Sequence, residues 1–414
     1  MNYESRRWVS LVASILASMC AGLAYSWSVF LKPLSSIFNW SATDTALSFT
    51  LLMSTAAATA IFAGKAQDYL QPKSVILIGG ILFGAGLTAI GFIQSLAQMY
   101  TCVIIAGIGL GAVYPGGTMS NMIKFFPDKS GSISGFVSAG YGIGPVVWAP
   151  ISVALLDRFG IISTMKILGI AFMVIIVLLS RLVTKCPEGY RPEGWVPKSN
   201  ISQKNTSDKN WRKMLLDPLF WPLAIIFTLG EITGMMIIGH ASPIAQDMLR
   251  ITPAAAAAIV IILSLANTLG KVIWGAISDR IGRYPVISFL LLLGGAAMFA
   301  LTVVNSYSTF VMCFIIIGLC YGGFLSVMAP LTADLFGPKN LPVNYGIMFL
   351  TVAIAAYVGP LLASVVKEAN NGNYSDAFII AALLNLLGLI IYGIFLFFKK
   401  RRESSLGARQ SIIS

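Results

Sequence analysis

Two charged residues in apolar surroundings offer most of the chemistry in this sequence. Lys271 lies in Ser264-Leu-Ala-Asn267-Thr-Leu-Gly-Lys271-Val-Ile-Trp274-Gly275, a run that ends in the charged turn Asp279-Arg280-Ile-Gly282-Arg283. Glu231 lies about halfway along another apolar run, from Pro218 to His240. An ammonium at bilayer depth costs roughly 2.5 to 3.5 kcal/mol, and such residues face a bundle interior, a water-filled cavity or a partner charge. Lys271 is therefore the candidate that binds an anionic substrate. Glu231 admits three readings: an ion pair with Lys271 on the next, antiparallel helix, a proton carrier, or a packing residue turned toward water. Counting about 1.5 Å per residue puts Glu231 deeper than Lys271, a difference the lysine stem can cover. His240 ends its run and reads as interfacial rather than as a proton relay.

Hydroxyls are the next resource. Tyr114 lies in Gly107-Ile-Gly-Leu-Gly111-Ala-Val-Tyr114-Pro115-Gly116-Gly117 and Tyr141 in Gly140-Tyr141-Gly142-Ile-Gly144-Pro145, so both are donors within apolar stretches. Most of the surrounding glycines are accounted for by close helix approach. Gly144-Pro145 inside such a stretch also weakens the helix locally, which suits an element that must bend or rock. Tyr25-Ser26-Trp27 can line a cavity or sit in an interfacial belt; Tyr25 and Trp27, two residues apart, cannot face the same way on a helix.

Other chemistries are missing. A single histidine, no Ser/His/Asp arrangement in an aqueous segment and no phosphate-binding Gly-Lys-Ser/Thr loop argue against an enzyme or an ATP-driven pump. The five cysteines lack metal-ligand spacing: Cys20, Cys102, Cys313 and Cys320 fall in apolar runs and Cys186 in a loop. Neither metal nor cofactor is expected.

The elements that must position Lys271 and Glu231 are membrane helices. Of 414 residues, 57% are hydrophobic and 11% charged, with a mean hydropathy of +0.82, outside the range of soluble domains. Runs long enough to cross about 30 Å of hydrocarbon recur near 8–31, 45–64, 74–94, 99–121, 132–155, 163–183, 217–240, 254–277, 285–304, 308–329, 343–366 and 376–398. Such runs must be helical, because each backbone group has to pair within its own segment. The Arg6-Arg7 run lacks a small-residue cleavage site and reads as a retained first helix. The net charge of +12 raises the question of nucleic acid, but its distribution answers it. With both termini cytoplasmic, 22 of the 28 lysines and arginines fall inside and five outside, with Lys271 left in the membrane. This is the positive-inside asymmetry of a cell-membrane protein, and the partner it implies is the lipid bilayer, not nucleic acid.

The chain also repeats itself. Gly64-Lys-Ala-Gln-Asp68 matches Gly275-Ala-Ile-Ser-Asp279, Tyr114-Pro-Gly-Gly117 matches Tyr321-Gly-Gly323, and Gly144-Pro145 matches Gly359-Pro360, at offsets of 211, 207 and 215 residues. Two six-helix halves follow, at 1–183 and 214–398, joined by a polar cytoplasmic linker at 184–213 and followed by a basic cytoplasmic tail at 399–414. Parallel halves built from inverted three-helix repeats are a secondary-transporter plan, with the substrate site between the halves.

Gly275 to Arg283 resembles the cytoplasmic loop signature of the major facilitator superfamily, and Gly64 to Lys73 is similar to a degraded copy. Within it the chain resembles the oxalate/formate antiporter family, related to the monocarboxylate carriers. The motifs are Tyr25-Ser26-Trp27, Phe126-Pro127-Asp128-Lys129-x-Gly131, Gly140-Tyr141-Gly142-x-Gly144 and Phe336-Gly337-x-Lys339-Asn340-x3-Asn344-Tyr345-Gly346, spread over essentially the whole chain. The resemblance implies an all-α membrane fold of twelve transmembrane helices in two pseudo-symmetric six-helix halves. It places Lys271 where the family has a carboxylate-binding arginine, and Val352 where oxalate carriers add a second lysine. It also implies that Tyr25, Tyr114 and Asn267 line the cavity, with Asn267 one turn before Lys271. Gly64, Asp68, Gly275, Asp279, Arg280 and Arg283 would act in conformational gating.

The expected function is secondary active transport of a small organic monocarboxylate, of the lactate, pyruvate or formate class, together with a proton, by a monomer. The alternatives are an oxalate or dicarboxylate exchanger and a non-transporting membrane sensor of organic acids.

Overall fold

The computed structural model describes residues 3–67, 69–126, 130–187, 190, 192, 208–304, 306–337 and 340–413, without the side chains at 120, 130–132, 134, 341–342, 398 and 400–413. Among these residues the chain is helical throughout, with no strand. Helix α1 (Tyr3–Ala21) passes through a tighter turn over Gly22–Ser26 into α2 (Ser28–Phe38). Next come α3 (Ala42–Ala66), α4 (Pro72–Ile90), α5 (Leu96–Gly111), the short α6 (Met119–Phe125) and the long α7 (Ser130–Ser180). The second half contains α8 (Trp211–Leu215), α9 (Phe220–Leu249), α10 (Pro253–Ile281), α11 (Arg283–Leu301), α12 (Tyr307–Phe336), α13 (Leu341–Met348), α14 (Leu350–Ala369) and α15 (Ser375–Ile413).

Local chemistry sets several starts. Ser41 and Asp44 form a reciprocal capping box at α3, and the Ser95, Thr252 and Ser306 side chains accept the orphan N–H groups opening α5, α10 and α12. Eleven stretches among the described residues are long and apolar enough to cross a bilayer. One of them, Gly135–Ser180, has 46 residues, which at about 1.5 Å each is twice the hydrocarbon thickness. It turns at Gly160, whose φ of 69° suits glycine, so the crossings number twelve, as the hydropathy runs predict.

Three expectations shift. The run expected at 217–240 extends as α9 to Leu249, so His240 is buried inside the helix rather than at the membrane interface. Tyr25 and Trp27 are both buried, which removes the belt reading; the indole N–H of Trp27 donates to Ser48 Oγ at 3.0 Å. Gly144-Pro145, expected to weaken its helix, lies within regular α7, and the break falls instead at Pro115. The residue before a proline is pushed to extended backbone, and Tyr114 has φ −134° and ψ 131°.

Burial ranks the spans. The α1 and α9 spans are each 72% buried, against 28% for α15, so the former stand at the centre and the latter meets lipid. Small residues let these helices cross closely. A Cβ at Gly322 of α12 would lie 2.1 Å from the Asn267 carbonyl oxygen of α10, and one at Gly111 would lie 2.1 Å from that of Ala56 in α3. The same kind of crossing thus recurs in the two halves.

Candidate functional site

Lys271 sits on α10, half-buried, where that helix packs against α7 of the other half. Its Nζ reaches the backbone of Gly142: a Cβ there would lie 3.9 Å from the ammonium and 2.3 Å from Thr268 Oγ1. Gly142 is thus the residue whose missing side chain leaves room for Thr268 Oγ1, with the lysine head at ordinary contact distance beside it. Lys271 makes no ion pair or hydrogen bond with any described residue. One turn earlier, Asn267 is fully buried beside Tyr25, and neither amide atom makes a hydrogen bond of normal geometry among the described residues.

The tyrosines gather at the same interface. Tyr25 and Tyr141 pack edge to face with centroids 4.8 Å apart, and Tyr141 stacks on Tyr114 at 4.3 Å and 13°. Tyr114 donates to Ser138 Oγ at 3.2 Å, and the Tyr141 hydroxyl points to Met53 Sδ at 3.9 Å. Across the interface the Tyr25 and Tyr321 hydroxyls are 3.4 Å apart, too far for a full-strength bond. The structure therefore brings Tyr25, Tyr114, Tyr141, Asn267 and Lys271 to one region between the halves. Tyr321, Ser138 and Thr268 join them without having been singled out as site residues. Tyr321 carried a signal, since it is the repeat partner of Tyr114.

Glu231 departs from its simplest expected placement. It is fully buried on α9, but among the described residues it does not pair with Lys271. Its Oε2 accepts from Thr351 Oγ1 on α14 at 2.9 Å, and its Oε1 has no hydrogen-bond partner among the described residues. The reason lies in the packing: α9 meets α14 over a much longer seam than it meets its sequence neighbour α10. The phenols of Tyr25, Tyr321 and Tyr345 stand close enough to feel its charge. Val352, next to Thr351, is buried.

The halves are bonded together at the end opposite the N-terminus. Asp247 of α9 takes Lys32 of α2 at 2.6 Å and Lys367 of α14 at 2.7 Å, and Glu368 accepts the N–H and hydroxyl of Thr43 at 2.7 and 2.8 Å. Beneath them Ser242 N–H approaches Ser28 Oγ at 3.4 Å. At the other end, Arg283 pairs with Asp279 at 3.2 Å and with Asp334 of α12 at 3.1 Å, all within the second half. No bond among the described residues joins the halves there. Arg280 and Gly275 share that turn, and Gly275 has only Ser326 near a built Cβ, at 3.8 Å. Gly64 has open space around it, while Asp68, Pro127 to Lys129, Lys339 and most of the 184–213 linker lie outside the described residues.

Comparison with known proteins fits this architecture. The profile of the Major Facilitator Superfamily matches residues 14–247 and again 231–411. An uncharacterised MFS-type transporter, YhjX, of Escherichia coli K12 is 30% identical over 358 residues, 86% of this chain and 87% of that one. The oxalate:formate antiporter of Oxalobacter formigenes is 27% identical, covering 93% and 90%, and monocarboxylate transporter 12 of Xenopus laevis is 20% identical, covering 94% and 88%. A crystal structure of a bacterial homologue of the human lysosomal transporter Spinster, inward-facing and unoccupied, superposes with a TM-score of 0.73 at 15% identity, covering 96% and 97%. With twelve crossings, a duplicated plan and a family profile matched over nearly its whole length, the chain belongs to the major facilitator superfamily of membrane transporters.

Proposed function

We propose that this transporter carries a small organic monocarboxylate of the lactate, pyruvate or formate class, together with a proton, by alternating access between its halves. The observation that carries the reading is the Lys271 ammonium, unpaired among the described residues and held between the halves beside buried tyrosines and Asn267. A carboxylate leaving water needs a compensating charge or several donors, since an unpaired buried ion costs several kcal/mol even after relaxation. Lys271 supplies the charge. Asn267, Tyr25, Tyr114 and Tyr141 supply donors and walls. One ammonium offsets one carboxylate, and Val352 stands where the family resemblance puts the second lysine of oxalate carriers, so a monoanion fits the site better than oxalate.

Glu231 is the proton carrier in this reading. An ionised carboxylate with one buried oxygen unpartnered is costly, and a proton arriving with the substrate removes that cost. One proton and one monoanion then move together without net charge. The bonded far end corresponds to a closed outer gate. Both termini and the 184–213 linker lie on that cytoplasmic side, the halves at 1–183 and 214–398 work as units of a monomer, and the protein resides in the cell membrane. Gly64, Asp68, Gly275, Asp279, Arg280 and Arg283 act in conformational gating on the cytoplasmic side. Oxalate exchange is the competing reading, favoured by the name of the Oxalobacter relative.

Uptake of labelled lactate, pyruvate, formate and oxalate into proteoliposomes separates the two. We expect monocarboxylate uptake that rises when the source side is acidified, little oxalate flux, no transport by Lys271→Gln and partial transport by Lys271→Arg. Wild-type rates in Lys271→Gln would overturn the site. Oxalate flux equal to that of lactate would overturn the charge-counting argument.

A further inference from the structure

Thr351 stands where two observations meet. The first is the break in the eleventh span, between α13 and α14 at Phe349. Here the Val352 N–H goes to the Phe349 carbonyl at 3.1 Å instead of continuing the ladder to Met348. The Met348 carbonyl is met by Thr351 Oγ1 at 2.8 Å. The second is that the same Oγ1 lies 2.9 Å from Glu231 Oε2. A threonine hydroxyl has one proton to donate and lone pairs with which to accept. Glu231, Thr351 and Met348 are all buried, so bulk water does not reach the Met348 carbonyl.

These distances allow two patterns. With a proton on Glu231, its O–H donates to Thr351 Oγ1 and the Thr351 O–H donates to the Met348 carbonyl, leaving both acceptors satisfied. Once Glu231 is ionised, the charge-assisted bond wins the hydroxyl, and the Met348 carbonyl at the break loses its donor. A buried carbonyl without a donor is unfavourable, and the residues around it must move to find one. The break is placed for such a movement. It adjoins α13, which packs against α3 of the other half, where a Cβ built at Gly346 would lie 3.6 Å from Ile61.

We propose that Thr351 is the positioning residue through which the protonation of Glu231 sets the geometry of the α13–α14 break, and thereby the approach of α13 to α3. The inference rests on the reading of Glu231 as the proton carrier and adds the residue that transmits the proton's presence. Other ionisable groups on the packed elements are differently placed. Tyr25, Tyr321 and Tyr345 present phenols, Lys271 on α10 does not bond to Glu231, and Tyr392 of α15 donates to the Tyr284 carbonyl. On α11, Arg283 and Tyr284 occupy the first turn. His240 and Asp247 of α9, and Lys367 and Glu368 of α14, lie toward the far ends of their helices. None of these bonds to Thr351 among the described residues.

The test uses the full-length protein in lipid nanodiscs, spin-labelled at Val343 on α13 and Phe62 on α3, both exposed. Label distances are measured at about pH 4 and about pH 9, a span that covers both ordinary and strongly perturbed carboxyl groups. The infrared carboxyl band of Glu231, assigned by its loss in Glu231→Gln, is followed over the same span. We expect the wild-type distance distribution to shift with pH and Glu231→Gln to stay in the acid form. Thr351→Val, which keeps the shape and removes the hydroxyl, should lose the distance shift while its carboxyl band still titrates. Thr351→Ser should restore the shift. A Thr351→Val protein that shifts as the wild type does, or a wild-type band that titrates without any distance change, overturns this inference and leaves the proton reading standing. A distance shift that persists in Glu231→Gln, or a carboxyl band that never titrates, overturns the proton reading and this inference with it.

Discussion

Asp247→Asn should open the far end of the protein. Asp247 joins the halves by accepting Lys32 and Lys367 at once, at 2.6 and 2.7 Å, with all three side chains between 21% and 38% exposed. Partly exposed ion pairs contribute about 0.2 to 1 kcal/mol each, so losing the charge but keeping one acceptor removes roughly 1 kcal/mol. The two lysines left facing each other add repulsion in the same direction. Since 1.4 kcal/mol is tenfold, the equilibrium between closed and open far ends should move about fivefold toward open. A cysteine at Ser28, buried just beneath the latch, reports this through its rate of labelling by an impermeant maleimide added at that face. A cavity of about 570 Å³ lined by Lys32, Ser36, Asp157 and Gln246 lies beside the latch on that face. The increase should shrink at about 1 M salt, where screening falls to roughly 3 Å and weakens the latch in the parent protein too. Labelling at the parent rate, or an effect indifferent to salt, would refute the idea that this charge cluster holds the halves together.

Gly142→Ala should insert normally yet lose about tenfold in transport, because its Cβ would meet Thr268 Oγ1 at 2.3 Å and push apart the α7–α10 seam on which Lys271 sits. Adding Thr268→Ala removes that oxygen and should recover much of the uptake. Cys186, half-buried after the sixth span, has its thiol pushed up by desolvation, with Lys124 opposing, so less thiolate is present at neutral pH. Its alkylation should be slow at pH 7 and accelerate as pH rises, and it should proceed from the cytoplasmic side alone; rapid labelling from outside intact cells would overturn the proposed topology.

Much of this architecture can be read from the chain because membranes make a few demands and make them everywhere. A run of about 20 apolar residues must be a helix, so the twelve crossings could be counted before any contact was known. The Gly-Pro and Tyr-Gly repeats likewise announced two related halves, since close helix crossings need small residues wherever they occur, as at Gly111 and Gly322. Lys271 stood out for a related reason: a cation in an apolar run has few tolerable environments, and the space beside Gly142 between the halves is one of them.

Glu231 shows where that reasoning stops. Hydropathy establishes that a helix exists but sets neither its rotation nor its neighbours, and adjacency in sequence made α10 the natural partner of α9. In the folded chain α9 lies instead along α14, and the carboxyl finds Thr351, a residue with no sequence signal because a lone threonine in an apolar helix commonly bonds back to its own turn. Thr351 does this too, to Met348, and it is the second acceptor at the same hydroxyl that gives the residue its interest. The extent of α9 escaped for a similar reason. Ala241 to Leu249 is more polar than the run before it, so the sequence ended the span at His240; the helix continues because Ala241 to Ala245 are buried in the bundle, and beyond them Asp247 meets lysines from two other helices. In both cases what a polar residue does inside the bundle depends on which helix lies opposite, and the folded contacts supply that choice.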